Sequence, residues 1–221
     1  MPRREVKFVF RATDLGKLRS ILRTNFRRAL FGNAPSIIRS LYFDDAALRA
    51  FHDSVEGVGA RRKLRLRWYN SNEHSLFFEV KEREFDLVSK RRVAIGSDTP
   101  LSSLRYRDVL AELRALLEPP EGELLASQDH PILICEYTRE YYEGPGGLRV
   151  TLDFDLGWFE QLGALRPRCR FGVHVPRTVI LEVKAPVGGS VEIAPLLHPL
   201  RVAVTRSSKY VVGCEQLGLS R

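Results

Sequence analysis

The chain has 221 residues, enough for one substantial core, and its 44% apolar and 28% charged composition excludes a disordered or fibrous protein. No apolar run approaches the roughly 20 residues a membrane helix needs, and the start MPRREVKFVF lacks the apolar region of a secretory signal, so a cytoplasmic protein is expected. The net charge of +8 points to an anionic partner; Cys135, Cys169 and Cys214 show no zinc spacing, and neither a Walker A loop nor a GxGxxG fingerprint occurs.

In chain order, Glu5–Phe10 alternates charged and apolar residues as a strand does. Thr13-Asp14 offers an N-cap to a helix in which Leu15, Leu18, Ile21, Leu22 and Phe26 recur to about Leu30. Arg19, Arg23, Arg27 and Arg28 read as its solvated face. Ser36–Phe43 is a largely apolar strand carrying Arg39, and Asp44-Asp45 caps a short helix, Ala46–His52. Arg61–Arg92 predicts two long strands and the start of a third. Arg61, Lys63, Arg65, Arg67 and Tyr69 share one face, opposite Leu64, Leu66 and Trp68. Glu79, Lys81 and Arg83 likewise lie opposite Leu76, Phe78 and Val80, with Asn70–His74 as the hairpin loop. Val88–Ile95 puts Lys90 and Arg92 together.

A second amphipathic helix, Leu101–Leu117, ends at Pro119-Pro120 and gives way to a loop reaching Pro131. Ile132–Tyr142 and Leu148–Asp155 flank the hairpin signal Glu143–Gly147. Tyr137, Arg139 and Tyr141 share a face, Glu136, Thr138 and Glu140 the other, and parity alone does not say which is inward. Arg149, Thr151, Asp153 and Asp155 lie opposite Val150, Leu152 and Phe154; Glu182 and Lys184 lie opposite Val179, Leu181 and Val183. Thr205–Leu217 reads as a final helix with Arg206, Ser208 and Lys209 at its start. The strand pattern resumes unchanged after each loop, so residues 1–221 are expected to form a single domain.

One strand with alternate charges is ordinarily the wet side of an antiparallel sheet. Here the cationic face recurs on most strands. An open cationic sheet would suit nucleic acid if aromatics were interleaved on it to stack bases. Trp68 and Phe78 fall on the apolar face instead, with Tyr69 and Phe77 as partial exceptions, so nucleic acid is not the expected partner. A closed barrel of about eight strands, apolar outside and charged inside, accounts better for the pattern. Its excess of lumenal cations calls for a polyphosphate-like ligand, and its few carboxylates suit a bridging divalent metal. Asp153-Phe154-Asp155 has the form of a glycosyltransferase DxD site but lacks the βαβ pattern around it.

The segments EVKF (5–8), SLYFDD (40–45), KLRLRWY (63–69), FFEVK (77–81), SKRR (89–92), EYTRE (136–140), RVTLDFD (149–155), VILEVK (179–184) and RSSKY (206–210) occur in one order across the chain. Together they resemble the VTC-type polyphosphate polymerase domain, a branch of the triphosphate tunnel metalloenzymes. The resemblance implies an α+β fold: a closed antiparallel eight-stranded β-barrel forming a tunnel, helices outside and a C-terminal helix. It implies phosphate contacts from Lys7, Arg65, Arg67, Lys81, Lys90, Arg139, Arg149 and Lys209. Substrate binding is expected from Tyr137 and Ser208, with Arg206, Arg39, Arg92 and Lys184 beside them, and turns Tyr137 and Arg139 inward. Glu182 would ligate Mn²⁺ or Mg²⁺, with Glu79 as a second candidate. The chain departs from other tunnel enzymes in having a single Glu-x-Lys in its first strand rather than ExExK.

The implied reaction moves the γ-phosphoryl group of ATP onto inorganic polyphosphate. A phosphate acceptor is already ionised at neutral pH, so no catalytic His or Cys is required. The alternatives are a tunnel triphosphatase, in which water is the acceptor, and a non-catalytic module that binds polyphosphate or RNA.

Overall fold

Period-two alternation organises the strands of this computed structural model, which describes residues 3–29, 35–85, 87–186, 203–205 and 207–219. The strands are β1 (Arg3–Arg11), β2 (Arg27–Ala29), β3 (Ser36–Asp44), β4 (Ala60–Tyr69), β5 (Asn72–Glu84), β6 (Leu87–Gly96), β7 (His130–Glu143), β8 (Arg149–Glu160), β9 (Val173–Val175) and β10 (Thr178–Pro186). The helices are α1 (Leu15–Asn25), α2 (Arg49–Val55), α3 (Tyr106–Leu116), α4 (Pro119–Ser127) and α5 (Lys209–Gln216). Among the described residues, no helix is long and apolar enough to cross a membrane.

The strands form one 10-stranded sheet in the order β1-β10-β8-β7-β3-β4-β5-β6, with β2 added to β7 and β9 to β8. This corrects the expected closed eight-stranded barrel: the class is α+β, but the order has two ends, β1 and β6, and the sheet is open. Closure would require each end strand to pair with the other. The outer edge of β1 is instead met by the returning chain, where Val204 bridges Phe8 and the Thr205 N–H donates to the Lys7 carbonyl at 2.9 Å. At the other end, β6 carries Lys90, Arg91 and Arg92 in succession, the kind of charge that keeps an edge from pairing.

The chain divides into two compact units, each with its own core. The first comprises Met1–Ile37, Tyr137–Gly157 and His174–Ser207. In it, Leu18 and Leu22 of α1, one turn apart, pack on Phe8, Phe10, Val150, Leu152, Val179 and Leu181. The helix stops five residues short of the expected Leu30, at Asn25, whose side chain turns back onto the Ile21 carbonyl (2.8 Å), and the chain continues extended into β2. Arg19 and Arg28 are not merely solvated. Both pair with Glu140, buried on the helix-facing side of β7, at 2.9 and 3.5 Å.

The second unit comprises Ile38–Glu136, Trp158–Val173 and Ser208–Arg221. Leu64, Leu66, Trp68, Leu76, Phe78 and Val80 bury the apolar face of the β4–β5 hairpin against Val109, Leu113, Leu117 and Leu125. The hairpin loop is tighter than expected: Tyr69 pairs with Asn72, and Asn70 takes the left-handed conformation (φ 56°) that asparagine tolerates. The expected second helix begins later, at Tyr106, and the expected loop after it is helical as α4. Pro119-Pro120 starts that helix rather than breaking the chain, since proline's missing N–H costs nothing in a first turn.

Gly213 lets α5 approach this core. A Cβ there would lie 2.3 Å from Trp158 Cδ1 and 2.9 Å from Leu133 Cδ2. Gly213→Ala should therefore lower stability by about 1–3 kcal/mol in urea denaturation, although alanine is the better helix former. An unchanged midpoint would mean that α5 is not packed this closely.

Candidate functional site

In the second unit the strand registers arrange the polar face of β3–β6 in rows. One row reads Ser40, Arg67, Phe77 and Ala94; the next reads Tyr42, Arg65, Glu79 and Arg92. A third aligns Lys63, Lys81 and Lys90 on three adjacent strands. Like charges set directly opposite one another weaken a sheet. The sequence tolerates that here twice, at Lys63–Lys81 and at Lys81–Lys90.

Glu79 is the anion at the middle of this face and is only 1% exposed. Its Oε2 accepts from Arg65 Nε at 2.8 Å and Nη2 at 2.6 Å; its Oε1 accepts from Lys90 Nζ at 2.6 Å. Arg67 Nη1 and Arg92 Nε stand 3.6 Å from it. Arg67 also donates to Ser40 Oγ (3.0 Å), Arg65 to the Tyr42 hydroxyl (3.1 Å), and Arg92 lies 3.6 Å from the Phe77 ring centre. Burial by itself would raise the Glu79 pKa, but Arg65, then Arg67 and Lys90, outweigh it and hold the carboxyl well below the usual range. A divalent cation placed here would be added to this cationic ring, so the surroundings of Glu79 suit the fixing of guanidinium groups rather than metal ligation.

Burial, reinforced by the Arg65 charge and opposed by Glu79, pushes Lys90 down to about 8. Its charge therefore falls within an accessible range. Tripolyphosphate affinity, measured by calorimetric titration, should weaken as pH rises through about 8, and Lys90→Arg should abolish that dependence. Stability moves the other way. The folded state sheds this proton before the unfolded one, whose ordinary value is 10.5, so the Lys90 contribution rises with pH across that interval. A Lys90→Arg protein with the wild-type pH profile would contradict the assignment.

The first turn of α5 lies against the same face. Lys63 Nζ donates to Ser208 Oγ at 2.8 Å, and the Tyr210 ring stacks on Tyr42 with centres 5.2 Å apart. The Tyr210 hydroxyl donates to Asp44 Oδ2 (2.5 Å), which also accepts the Phe51 N–H at the start of α2. Lys209 opens α5, its carbonyl accepting from Trp158 Nε1 at 2.8 Å. Arg206 lies outside the described residues. Arg39 is on the opposite face of β3, paired with Glu136 at 2.5 Å, and is not brought to the cationic rows.

In the first unit, the polar face of β1, β10 and β8 brings Glu5 opposite Lys184, Lys7 opposite Glu182, Glu182 opposite Thr151 and Lys184 opposite Arg149. Lys7 Nζ is 3.1 Å from Glu5 and 3.9 Å from Glu182, and donates to the Ser207 carbonyl at 3.1 Å. Lys184 Nζ meets Glu182 at 2.7 Å. Arg139 and Asp153 form a buried two-pronged pair, Nε to Oδ1 at 2.6 Å and Nη2 to Oδ2 at 2.7 Å, with Tyr137 5.2 Å beneath the guanidinium. The edge of Arg139 that fits a carboxylate or phosphate is thus already held by Asp153. Burial opposes its charge, but Asp153 first and then Tyr137 raise its pKa well above the ordinary arginine value.

Among the described residues, no group of three or more His, Cys, Asp or Glu side chains could cage a metal. Glu182 nevertheless has the donor set for a shared ion. Thr151 Oγ1 opposite it is buried with no hydrogen-bond partner, so a second oxygen is left unsatisfied beside the carboxylate. Mg²⁺-like ions take one or two carboxylates and fill their shell with substrate phosphate and water.

Several members of these arrangements escaped the sequence reading of roles. Lys63 shares parity with Arg65 and Arg67, and Thr151 with Arg149 and Asp153, so alternation could have found both. Ser40, Tyr42 and Tyr210 gave no such signal, because their roles arise from the pairing of β3 with β4 and from the packing of α5 on Tyr42 and Asp44.

The sequence profile of the family described as VTC domain matches residues 2–218. Among solved structures, the chain is similar to the PH1819 protein from Pyrococcus horikoshii OT3, with 19% identity and a TM-score of 0.54, over 96% of this chain and 99% of that one. This is a likeness of fold. A Hippeastrum protein described as having a dominant triphosphatase activity aligns with 16% identity and a TM-score of 0.49, over 97% of this chain and 96% of that one. The inorganic triphosphatase NE1496 aligns with 13% identity and a TM-score of 0.25, over 86% of this chain and 80% of that one. No curated protein matches the chain.

Proposed function

The chain belongs to the VTC domain family, and from that premise we propose that it transfers the γ-phosphoryl group of ATP to the end of an inorganic polyphosphate chain. The observation that carries this reading is the row of Lys63, Lys81 and Lys90 beside the guanidinium groups of Arg65, Arg67 and Arg92. A phosphate chain crossing these strands meets a lysine on each. In the transfer, the bond from the γ-phosphorus to the oxygen bridging it to ADP breaks. A terminal phosphate oxygen of the acceptor forms the new bond, and ADP leaves.

Phosphoryl transfer passes through a loose transition state with its charge spread over equatorial oxygens, so it demands alignment and neutralisation. Arg65 and Arg67, fixed by Glu79, Tyr42 and Ser40, supply both without reorganising during the reaction. Ser208 at the start of α5 adds a hydroxyl beside Lys63. The other unit has its own polar face, on which Glu182, flanked by Lys7 and Lys184, would with Thr151 hold a Mn²⁺ or Mg²⁺ ion. Such an ion, when bound, draws negative charge from phosphate oxygens.

Incubation of the protein with ATP and Mn²⁺, followed by gel electrophoresis, tests the reading. Long phosphate chains are expected. Free phosphate without chains would replace it with a triphosphatase, and salt-sensitive binding without turnover would replace it with a binding module. Glu182→Gln should slow turnover roughly a hundredfold, in line with the several kcal/mol a Lewis-acid ion supplies; full activity in that variant would remove the metal assignment.

A further inference from the structure

We infer that the loop of residues 161–172, between β8 and β9, docks the protein on an anionic lipid bilayer. Three large apolar side chains stand out of this loop: Leu162 is 41% exposed, Leu165 80% and Phe171 97%. Arg166, Arg168 and Arg170 alternate through the same segment, are exposed, and enter none of the ion pairs found among the described residues. Scattered apolar residues are ordinary on a surface, but a basic segment interleaved with exposed leucine and phenylalanine is the composition that inserts at a headgroup boundary. Anionic headgroups supply what the arginines lack, and the acyl boundary takes the apolar tips.

The loop is built to present these side chains. Gln161, fully buried, donates through Nε2 to the carbonyls of Phe159, Glu160 and Arg168 at 3.0, 2.9 and 2.7 Å. Its Oε1 accepts from the Tyr106 hydroxyl at 2.6 Å and the Arg168 N–H at 3.1 Å, while the Leu165 carbonyl accepts the Tyr106 N–H at 3.0 Å. At the other end, Gly172 comes so close to β8 that a Cβ would lie 2.4 Å from the Phe159 ring and 2.6 Å from the Trp158 carbonyl. Between these anchors Phe171 is held at φ 55°, a conformation that disfavours any residue with a Cβ. A bulky ring kept in a costly backbone conformation and left in water contributes nothing to folding. It contributes to whatever the ring enters. Bases would stack on Phe171 but have no use for Leu162 and Leu165, so the two leucines favour lipid over RNA.

The test is co-sedimentation of the full chain with vesicles of phosphatidylcholine alone or mixed with phosphatidylglycerol. Saturating tripolyphosphate, present throughout, occupies the cationic rows of β4–β6. Wild-type protein should pellet with the mixed vesicles only. Leu165→Ser with Phe171→Asn should reduce that partition about tenfold while leaving tripolyphosphate binding unchanged. The thermal midpoint should be equal or higher, because asparagine tolerates the left-handed backbone. Replacing Arg166, Arg168 and Arg170 together by glutamine should give a similar loss. Failure of the wild type to bind mixed vesicles, or undiminished binding by either variant, overturns the inference. So does a Phe171→Asn protein that loses single-stranded RNA binding while still pelleting with vesicles.

Discussion

Glu79→Ala is expected to cost about 3–5 kcal/mol of folding stability, the range for breaking a buried ion pair by removing one partner. The carboxylate is the shared acceptor of Arg65 and Lys90, with Arg67 and Arg92 at its edge. Without it the largely buried Arg65 and Arg67 lose their shared anion, with Lys90 and Arg92 at the exposed rim. Tripolyphosphate should restore more stability to the variant than to the wild type, for which a hundredfold excess over Kd adds about 2.7 kcal/mol, because phosphate oxygens take the place of the missing carboxylate. Urea denaturation with and without tripolyphosphate measures both quantities. Acid should have a parallel effect on the wild type. The Glu79 carboxyl is held below its ordinary value of 4.5, so its contribution is fully present above that pH and is lost progressively as pH falls below it. Equal ligand stabilisation of variant and wild type would mean that Glu79 does not organise an anion site.

Asp153→Ala should be as damaging, again about 3–5 kcal/mol, for a different reason. Asp153 is fully buried and takes both prongs of Arg139. Once it is gone, Arg139 cannot escape by losing its proton, since a guanidinium stays charged in proteins. The converse change is gentler. In Arg139→Ala the stranded Asp153 can bind a proton, so that variant should recover relative stability as pH is lowered, whereas Asp153→Ala should not. Denaturation midpoints of the two variants across acid pH would show this asymmetry; matching profiles would contradict the buried pair.

The period of two made much of the site legible. It placed Arg65, Arg67, Glu79, Lys81, Lys90 and Arg92 on one side of the β4–β6 strands, and Leu64, Leu66 and Trp68 on the other. Alternation needs no knowledge of the rest of the chain. What depends on distant pairing was hidden. Glu79 reads as a metal ligand until the register surrounds it with arginine and lysine. Arg39 reads like its neighbours until β3 turns it towards Glu136. Arg19 and Arg28 read as solvated until β7 brings Glu140 to them. Sheet closure is the extreme case. Whether β1 meets β6 depends on the first strand, the last strand and the segment at Val204, and no local pattern encodes it. The helix α4 was concealed differently, because a proline pair that ends one helix also begins the next.

The most direct test of the central claim is a phosphate balance on purified protein turning over γ-labelled ATP with Mn²⁺. Each ADP released should be matched by one labelled phosphate in acid-stable polymer, and Arg65→Ala should abolish both together. ADP matched instead by free labelled phosphate would contradict transfer to a polyphosphate chain.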